Sequence, residues 1–415
     1  MTVATLPLWD PDTFSRGFPH DLFRRLRAED PVHWQPEPRG PGFWAVTRYD
    51  DVRTVSRHPE LYSSQKRGVF LDEPSREELE QLNLMMLTKD PPEHTQLRKL
   101  VSTGFTPRMV GALEPHVREM AAATIDGFID KGECDFVTEC AAELPLLVIA
   151  ELLGVPKDDR AFLFDLSNRL IGFDDPEYIT SPEDAEIAMA EMFGYLHQLA
   201  AERQGTPARD DLIGVLMDAE VDGDRLTQLE IDLFFMLLVV AGNETTRNMI
   251  SHALLALVEH PEQMARLRAD IDGLLPTAVE EFLRWSPPVM HFRRTALADA
   301  VLGDQPIAAD DKVIVYYPSA NRDEAAFPAA DTFDVGRDPN HHLGFGGGGP
   351  HFCLGANLAR LEIRVMYEEL LARVADIELT GEVRLLRSHF INGIKGLPIR
   401  FRKVGHGHGA GAADG

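Results

Sequence analysis

The amino-acid sequence predicts a mainly α protein with a small β-rich region, folded as one large domain. Three observations carry this expectation. From about Val110 to Glu220 one helical segment follows another, interrupted at Gly132, Gly154, Pro176, Pro182 and Pro207, residue types that end or bend helices. The stretch LTQLEIDLFFMLLVVAGNETTRNMISHALLALVEHP reads as one long helix closing before Pro261. Its middle is apolar all round, the mark of a helix buried on every side. In a third run, LGANLARLEIRVMYEELLARV, the residues Leu354, Leu358, Leu361, Val365, Leu370 and Val374 recur at helical spacing. No linker-like break divides the chain, so residues 1–403 are expected to form one domain. Residues 404–415, VGHGHGAGAADG, are expected to be a disordered low-complexity tail in which His406 and His408 belong to a solvated end.

The other elements follow in order. FWAVTR, from Phe43, has the make-up of a strand, and YDDVRTVSRHP that of a helix closed by Pro59. Residues 63–92 are polar and irregular around an apolar patch from Leu84 to Leu87. Such a loop is either a lid or pocket wall, or a surface excursion. DPPEHTQLRKLV opens a helix at Pro91 and Pro92, on which His94 and Arg98 share one face. AVEEFLRW sets Glu281 and Arg284 on one helix face, within reach of each other. In SPPVMHFRRTALAD the two prolines turn the chain so that Val289, Met290, His291 and Phe292 face a pocket; His291 is assigned no catalytic role. KVIVYYP is a strand, and HFINGIKGLPIRF a hairpin turning at Asn392-Gly393, with Phe390 to Asn392 at its tip reaching the pocket.

The chain has 415 residues, 44% of them hydrophobic, enough for a large core. Its formal charge of −26, from 41 basic and 67 acidic residues, argues against nucleic-acid binding and against adhesion to anionic membranes. Three cysteines, Cys134, Cys140 and Cys353, are too few for a disulfide framework and suit a reducing cytoplasm. MTVATLPLWDPDTF has neither the basic start nor the apolar run of a signal peptide. The longest apolar run, Leu233 to Gly242, is about half the ~20 residues a membrane span needs. A cytoplasmic protein with no membrane span is expected.

Chemistry concentrates in Gly344 to Ala356, GFGGGGPHFCLGA. The glycines let the backbone fold tightly against something flat and bulky. Cys353 lies where a helix starts, and free N–H groups and the positive dipole end favour a thiolate there. A cysteine so held suits a soft anionic metal ligand. Gly344, Gly346 and Gly349 also match G-x-G-x-x-G, but that dinucleotide motif needs a hydrophobic strand before it. DPNHHL precedes it here, and Pro350 interrupts the loop. In the central helix Ala241-Gly242 makes one surface thin, directly before Glu244, Thr245 and Thr246. Acids and hydroxyls are costly in a buried helix unless they bond. Thr245 either bonds back to a carbonyl or relays protons.

The cysteine loop resembles the haem-binding loop of the cytochrome P450 monooxygenases, whose pattern ends in basic-x-Cys-x-Gly, here His351, Phe352, Cys353, Leu354 and Gly355. The resemblance runs from about the first strand to Phe401. It implies the cytochrome P450 fold and haem b (iron protoporphyrin IX) with Cys353 as the axial iron ligand. It implies His94, Arg98 and Arg294 on the haem propionates, with His351, Ala241, Gly242 and Phe345 also at the cofactor. The family's usual phenylalanine position falls on Gly346 here, and Phe345 lies one residue further back. AGNETT resembles the family's distal-helix motif, which implies that Glu244 and Thr245 feed protons to bound oxygen. The family's E-x-x-R pair, joined by a later arginine, falls on Glu281, Arg284 and Arg337 in a structural role. Residues near 160 to 205 fall on the roof of the pocket.

The implied function is insertion of one oxygen atom from O2 into a C–H bond of a hydrophobic small molecule. No flavin or nicotinamide domain is attached, so electrons are expected from a ferredoxin and its NAD(P)H-dependent reductase. Two other readings stay open: a peroxide-driven haem-thiolate peroxygenase, and a non-catalytic haem-binding sensor. Ferredoxins are typically acidic, so docking on this acidic protein calls for a local basic patch near Cys353, with Lys99, Arg360 and Arg364 as candidates. The candidate substrate lining is Phe70, Leu84, Met85, Met86, Leu238, Val239, Val289, Met290, Phe292 and Ile391. It is apolar and rich in adaptable methionines, which favours a steroid, terpenoid or fatty-chain lipid. AGNETTRN, GFGGGGPHFCLGANLAR and the late NGIK turn look closest to the actinobacterial branch that oxidises sterols and branched lipids.

Overall fold

The structure, a computed structural model, describes residues 6–171, 174–178, 181–203, 220–221 and 223–404. The tail that carries His406 and His408, and Pro207, lie outside the described residues.

The axis of the fold is the central helix, Gln228–Glu259. Thr227 caps it: its hydroxyl accepts the Glu230 N–H, and the Glu230 carboxylate accepts the Thr227 N–H, satisfying two donors that every helix start leaves free. The helix ends at His260, because Pro261 has no N–H to extend the ladder. Helices Glu143–Leu152, Arg160–Ile171, Pro182–Arg203, Ile271–Trp285 and Ala356–Arg373 pack against it. Phe235, Met249, Ile250, Leu254 and Leu257 are all buried there. Each such side chain contributes about 1.5–3 kcal/mol when fully buried, so a helix without a polar face is stable only in the interior. The Ala356–Arg373 helix also lies along the helix Pro107–Phe128.

The β-rich region sits to one side. Its main sheet has five strands in the order Val32–Gln35, Phe43–Val46, Lys312–Tyr316, His291–Ala296, Tyr62–Ser63. All neighbours are antiparallel except Lys312–Tyr316 against Phe43–Val46. Strands FWAV and KVIVY and the helix Tyr49–Arg57 fall where the sequence pattern puts them. A second sheet joins Val374–Leu379, Pro398–Lys403 and Glu133–Asp135.

Three expectations need correction. The hairpin does not turn at Asn392-Gly393: Arg384–Leu385 pairs with Ile394–Gly396 across a longer loop. Neither Asn392 nor Gly393 has the positive φ that a two-residue turn of that type demands. Instead a Cβ on Gly393 would lie 2.9 Å from the Leu386 side chain, so the glycine serves close packing. Residues 63–92 are not wholly irregular, since Arg76–Leu82 is a helix with a complete Ser75–Glu78 capping box. The S-x-x-E signal was present in the sequence. The helical stretch from Val110 also contains a strand, Glu133–Asp135, which docks on a partner contributed by the far end of the chain. Cys134 is on that strand and Cys140 shortly after it; both are buried, and burial pushes the Cys134 thiol up to about 12. They are core thiols. No helix among the described residues is long and apolar enough to cross a membrane.

The E-x-x-R pair is a fully buried anchor. Arg284 and Glu281 are both 0% exposed and bonded twice, at 2.7 Å each. Arg284 also donates to the carbonyls of Asn321, Ala330 and Thr332. Glu281 accepts from Arg337 Nε, Asn340 Nδ2 and the Asp334 N–H. The expected third member, Arg337, is therefore in place, and its other N–H groups hold Pro328, Ala329 and Thr332. The pair ties the Ile271–Trp285 helix to the irregular segment leading into the cysteine loop. Removing one partner of a buried pair costs about 3–5 kcal/mol because the other charge is left unanswered. Glu281→Gln should therefore lower unfolding stability by about that amount, read by chemical denaturation. A change below about 1 kcal/mol would show the pair to be dispensable.

Candidate active site

The residues around Cys353 form the floor of an internal cavity. Gly346, Gly348 and Gly349 have φ of +99°, +87° and +78°, a region closed to most side chains. The loop lies flat on the end of the Tyr49–Arg57 helix: a Cβ on Gly349 would be 2.3 Å from the Ser56 carbonyl oxygen, and one on Gly347 2.4 Å from Ser56 Oγ. The Cys353 N–H donates to the Phe345 carbonyl at 3.0 Å. Phe345 borders the cavity beside Cys353, so the glycines absorb the extra residue between them. Arg360 stacks on the Phe345 ring at 4.5 Å.

The helix after the loop begins at Ala356 with Gly355 as its cap, so Cys353 precedes the helix rather than opening it. Burial raises its thiol pKa, while the Gly355 N–H and the guanidinium groups of Arg98 and Arg360 pull it down; the net direction is up. The dipole end alone does not make a thiolate here. A bound cation would, since a coordinating thiol is deprotonated outright.

The opposite wall is the central helix. Ala241 is exposed although it lies in the middle of the central helix, because it faces the cavity together with Gly242, Thr245 and Thr246. A Cβ on Gly242 would lie 2.7 Å from Ile149 Cδ1, which keeps two helices close at this point. The Thr245 hydroxyl donates to the Ala241 carbonyl at 2.6 Å. Glu244 does not border the cavity. It is buried, bonded through Oε2 to Arg247, with Oε1 unpartnered, and burial raises its pKa. Adjacent helix residues face different directions, so no bond joins Glu244 to Thr245.

A third wall is basic. The His94 and His351 rings are 4.2 Å apart, and His351 Nε2 is 3.2 Å from Ser64 Oγ. His94 Nδ1 is buried without a partner. Arg294 donates only to the Arg293 carbonyl, at 2.7 Å, and none of the described residues accepts from Arg98. All four line the cavity. Burial, then Arg98 and Arg294, push His94 down to about 4. Burial, then Arg294, His94 and Arg98, push His351 down to about 2.

Of the expected substrate lining, Met86, Leu238, Val289 and Phe292 border the cavity. The other six do not. Phe70 packs edge-on against Phe390, and Leu84 is 45% exposed. Met85 packs against the main core. Val239 is one helix step past Leu238 and turns into the core. Met290 lies just before the strand His291–Ala296 and joins the N-terminal cluster. Ile391 pairs with Val289 in a separate small cluster. The cavity adds Val69, Leu87, Phe105, Ile149, Phe234, Leu237 and Glu362, which sequence reasoning missed. Glu362 was detectable as an acid within the buried Leu358–Met366 stripe; it has an unpartnered oxygen, and burial raises its pKa well above the usual carboxylate range.

A family model described as Cytochrome P450 matches residues 177–375. A steroid C26-monooxygenase of Rhodococcus jostii is 42% identical over 407 residues, covering 96% of this chain and 85% of its own. A methyl-branched lipid omega-hydroxylase of Mycobacterium tuberculosis is 46% identical over 406 residues, covering 96% of this chain and 94% of its own. The chain is a cytochrome P450. Among solved structures, a Mycobacterium marinum cytochrome P450 in complex with pseudoionone superposes with a TM-score of 0.86 at 43% identity, covering 92% of this chain and 94% of the other. The fold and the monooxygenase class thus follow for this P450.

The cofactor of the family is haem, and the residues present fit it. The cavity has one thiol on its floor, a glycine loop pressed flat beneath it, and buried cations on one side with no carboxylate partner among the described residues. A group with an apolar ring body and acidic edges answers each of these. In this P450, Gly349→Ala should cost about 1–3 kcal/mol through backbone strain and shed cofactor, measured by thermal unfolding and by haem content. Full haem content with an unchanged melting temperature would show that the loop can move off Ser56.

Proposed function

We propose that this cytochrome P450 hydroxylates an unactivated carbon of a steroid, terpenoid or fatty-chain lipid, using haem b and electrons from a ferredoxin and its NAD(P)H-dependent reductase. The observation that carries the substrate class is the wall facing Cys353. Above the basic side, Met86, Leu87, Ile149, Phe234, Leu238, Val289 and Phe292 leave Thr245 and Thr246 as polar groups on the central-helix face. An apolar ligand gains roughly 25 cal/mol per Å² buried, so an extended hydrocarbon is favoured over a small polar acid. The names of the steroid and branched-lipid relatives, and the pseudoionone complex, support the same class.

With haem held by Cys353, His94, Arg98, Arg294 and His351, thiolate ligation supplies oxygen activation. The chain's own groups do the rest. The apolar wall excludes water and orients the substrate. Ala241 and Gly242 leave room over the site, and Thr245 presents a hydroxyl whose proton can turn from the Ala241 carbonyl into the cavity. Glu244 is a buried acid behind that wall, held by Arg247, and acts through movement or water rather than by direct contact with Thr245. For partner docking, Arg360 is bonded to Glu280 and Arg364 to Glu114 and Glu368. Lys99 is exposed with no carboxylate partner among the described residues, and is the freest of the three candidate charges.

Thr245→Ala is expected to keep haem and ligand binding yet release hydrogen peroxide, with product per reducing equivalent falling about tenfold or more because a positioned proton donor is lost. Unchanged coupling would leave Thr245 a helix-bonding residue only. Titration of steroids, terpenes, fatty acids and small aromatic acids, read by the Soret shift, tests the substrate class. Tight binding by the aromatic acids alone would sink the lipid assignment.

A further inference from the structure

We infer that Tyr317 is an additional cofactor-holding residue, its phenol donating a hydrogen bond to the haem carboxylate that Arg294 binds. This rests on the haem-thiolate reading above and adds a residue to it.

The backbone at Tyr317 is fixed by the sheet. It directly follows the strand Lys312–Tyr316, whose Val313, Val315 and Tyr316 register with Arg294, Phe292 and His291. Its own N–H donates to the Met290 carbonyl at 3.0 Å. The ring packs edge-on against Phe292, with centroids 6.3 Å apart, and joins the cluster around Val289 and Ala320. Tyr317 is only 3% exposed, yet it borders the cavity together with Arg294 and Phe292.

Two other buried phenols are satisfied from within. Tyr316 donates to the Leu8 carbonyl and Tyr367 to the Ile250 carbonyl. None of the described residues accepts from Tyr317. Tyr62 shares that lack but does not border the cavity. A buried hydroxyl without an acceptor costs free energy, and the adjacent group makes matters worse. The Arg294 guanidinium spends one N–H on the Arg293 carbonyl, and its remaining donors have no acceptor among the described residues. The two groups are close enough to influence each other's ionisation, although burial outweighs Arg294 and raises the Tyr317 phenol overall.

Two donors therefore converge on one end of the cavity, and beyond the Arg293 carbonyl none of the described residues accepts from either. Water would satisfy a hydroxyl but would not neutralise a buried guanidinium. A carboxylate does both, because it offers two oxygens and a full negative charge. At this end of the cavity the haem propionate is the carboxylate to hand. Arg294 of the basic wall thus becomes half of a two-donor clamp, with Tyr317 as the second donor.

The test is a cycle between Tyr317→Phe and the haem carboxylates, run on the holoenzyme. The variant keeps the ring against Phe292 and removes only the oxygen, and its unfolding midpoint is recorded alongside. Transfer of haem to excess apomyoglobin is followed for both proteins, each reconstituted with haem and with haem dimethyl ester. We expect the variant to keep the thiolate spectrum of the reduced carbon monoxide complex. It should lose ordinary haem about 10- to 100-fold faster, the range for a hydrogen bond to a charged group. With the dimethyl ester the two proteins should release at the same rate. Propionate bending bands in resonance Raman spectra should shift in the variant. Equal loss of ordinary haem from both proteins would overturn the inference. So would a difference that persists with the ester, since the phenol would then be supporting the fold rather than a carboxylate. If the parent protein itself lacks the thiolate spectrum, the haem-thiolate reading fails, and the inference with it.

Discussion

A buried guanidinium has to be answered, and this protein answers two groups of them in opposite ways. Arg284 is met inside the chain by Glu281 and three backbone carbonyls. That closed arrangement holds the segment leading into the cysteine loop. Arg98, half-buried, and Arg294, buried, sit at the edge of the cavity with no carboxylate partner among the described residues. Taking a charge out of water costs several kcal/mol even after relaxation, so the second group is stable only with an anion brought from outside. The first group positions the loop, and the second selects what binds above it.

The cavity exists because two helices are prevented from closing on each other. The glycine loop lies flat on Ser56 and keeps Cys353 on the floor, while Ala241 and Gly242 keep the facing wall shallow. Dense packing elsewhere makes this room conspicuous. Native interiors are packed like organic crystals, and a space of this kind survives only where rigid elements frame it. The central helix is framed by helices on several sides, and the cysteine loop is pinned through Glu281 and Arg337.

The distal wall separates two residues that the sequence sets side by side. Thr245 faces the cavity and spends its proton on the Ala241 carbonyl. Glu244 turns away, into a bond with Arg247, and keeps one oxygen free. Proton movement between them needs a change of rotamer or an intervening water. Glu362 shows a parallel case on the other side of the cavity, a buried acid whose pKa its surroundings raise.

Local patterns were legible wherever the physics is local. The glycine run, Cys353 and the amphipathic stretch after it announced the loop. The apolar middle of the central helix announced a buried axis, and the spacing of Glu281 and Arg284 announced their pairing. The Ser75–Glu78 capping box is equally local. By itself, then, the sequence determined the helical class, the cysteine loop and the pairing of Glu281 with Arg284, because each depends on neighbours within a few turns of chain, whereas the four basic residues were implied only by the family resemblance. Only the tertiary structure decided which apolar residues face the cavity, because a single step along the chain turns a side chain from wall to core, as Val239 shows in the central helix and Met290 just before its strand. It alone placed Tyr317 beside Arg294, since their meeting depends on strand register between segments far apart in the chain. It alone left those donors without an acceptor, and so defined the chemistry of what must bind.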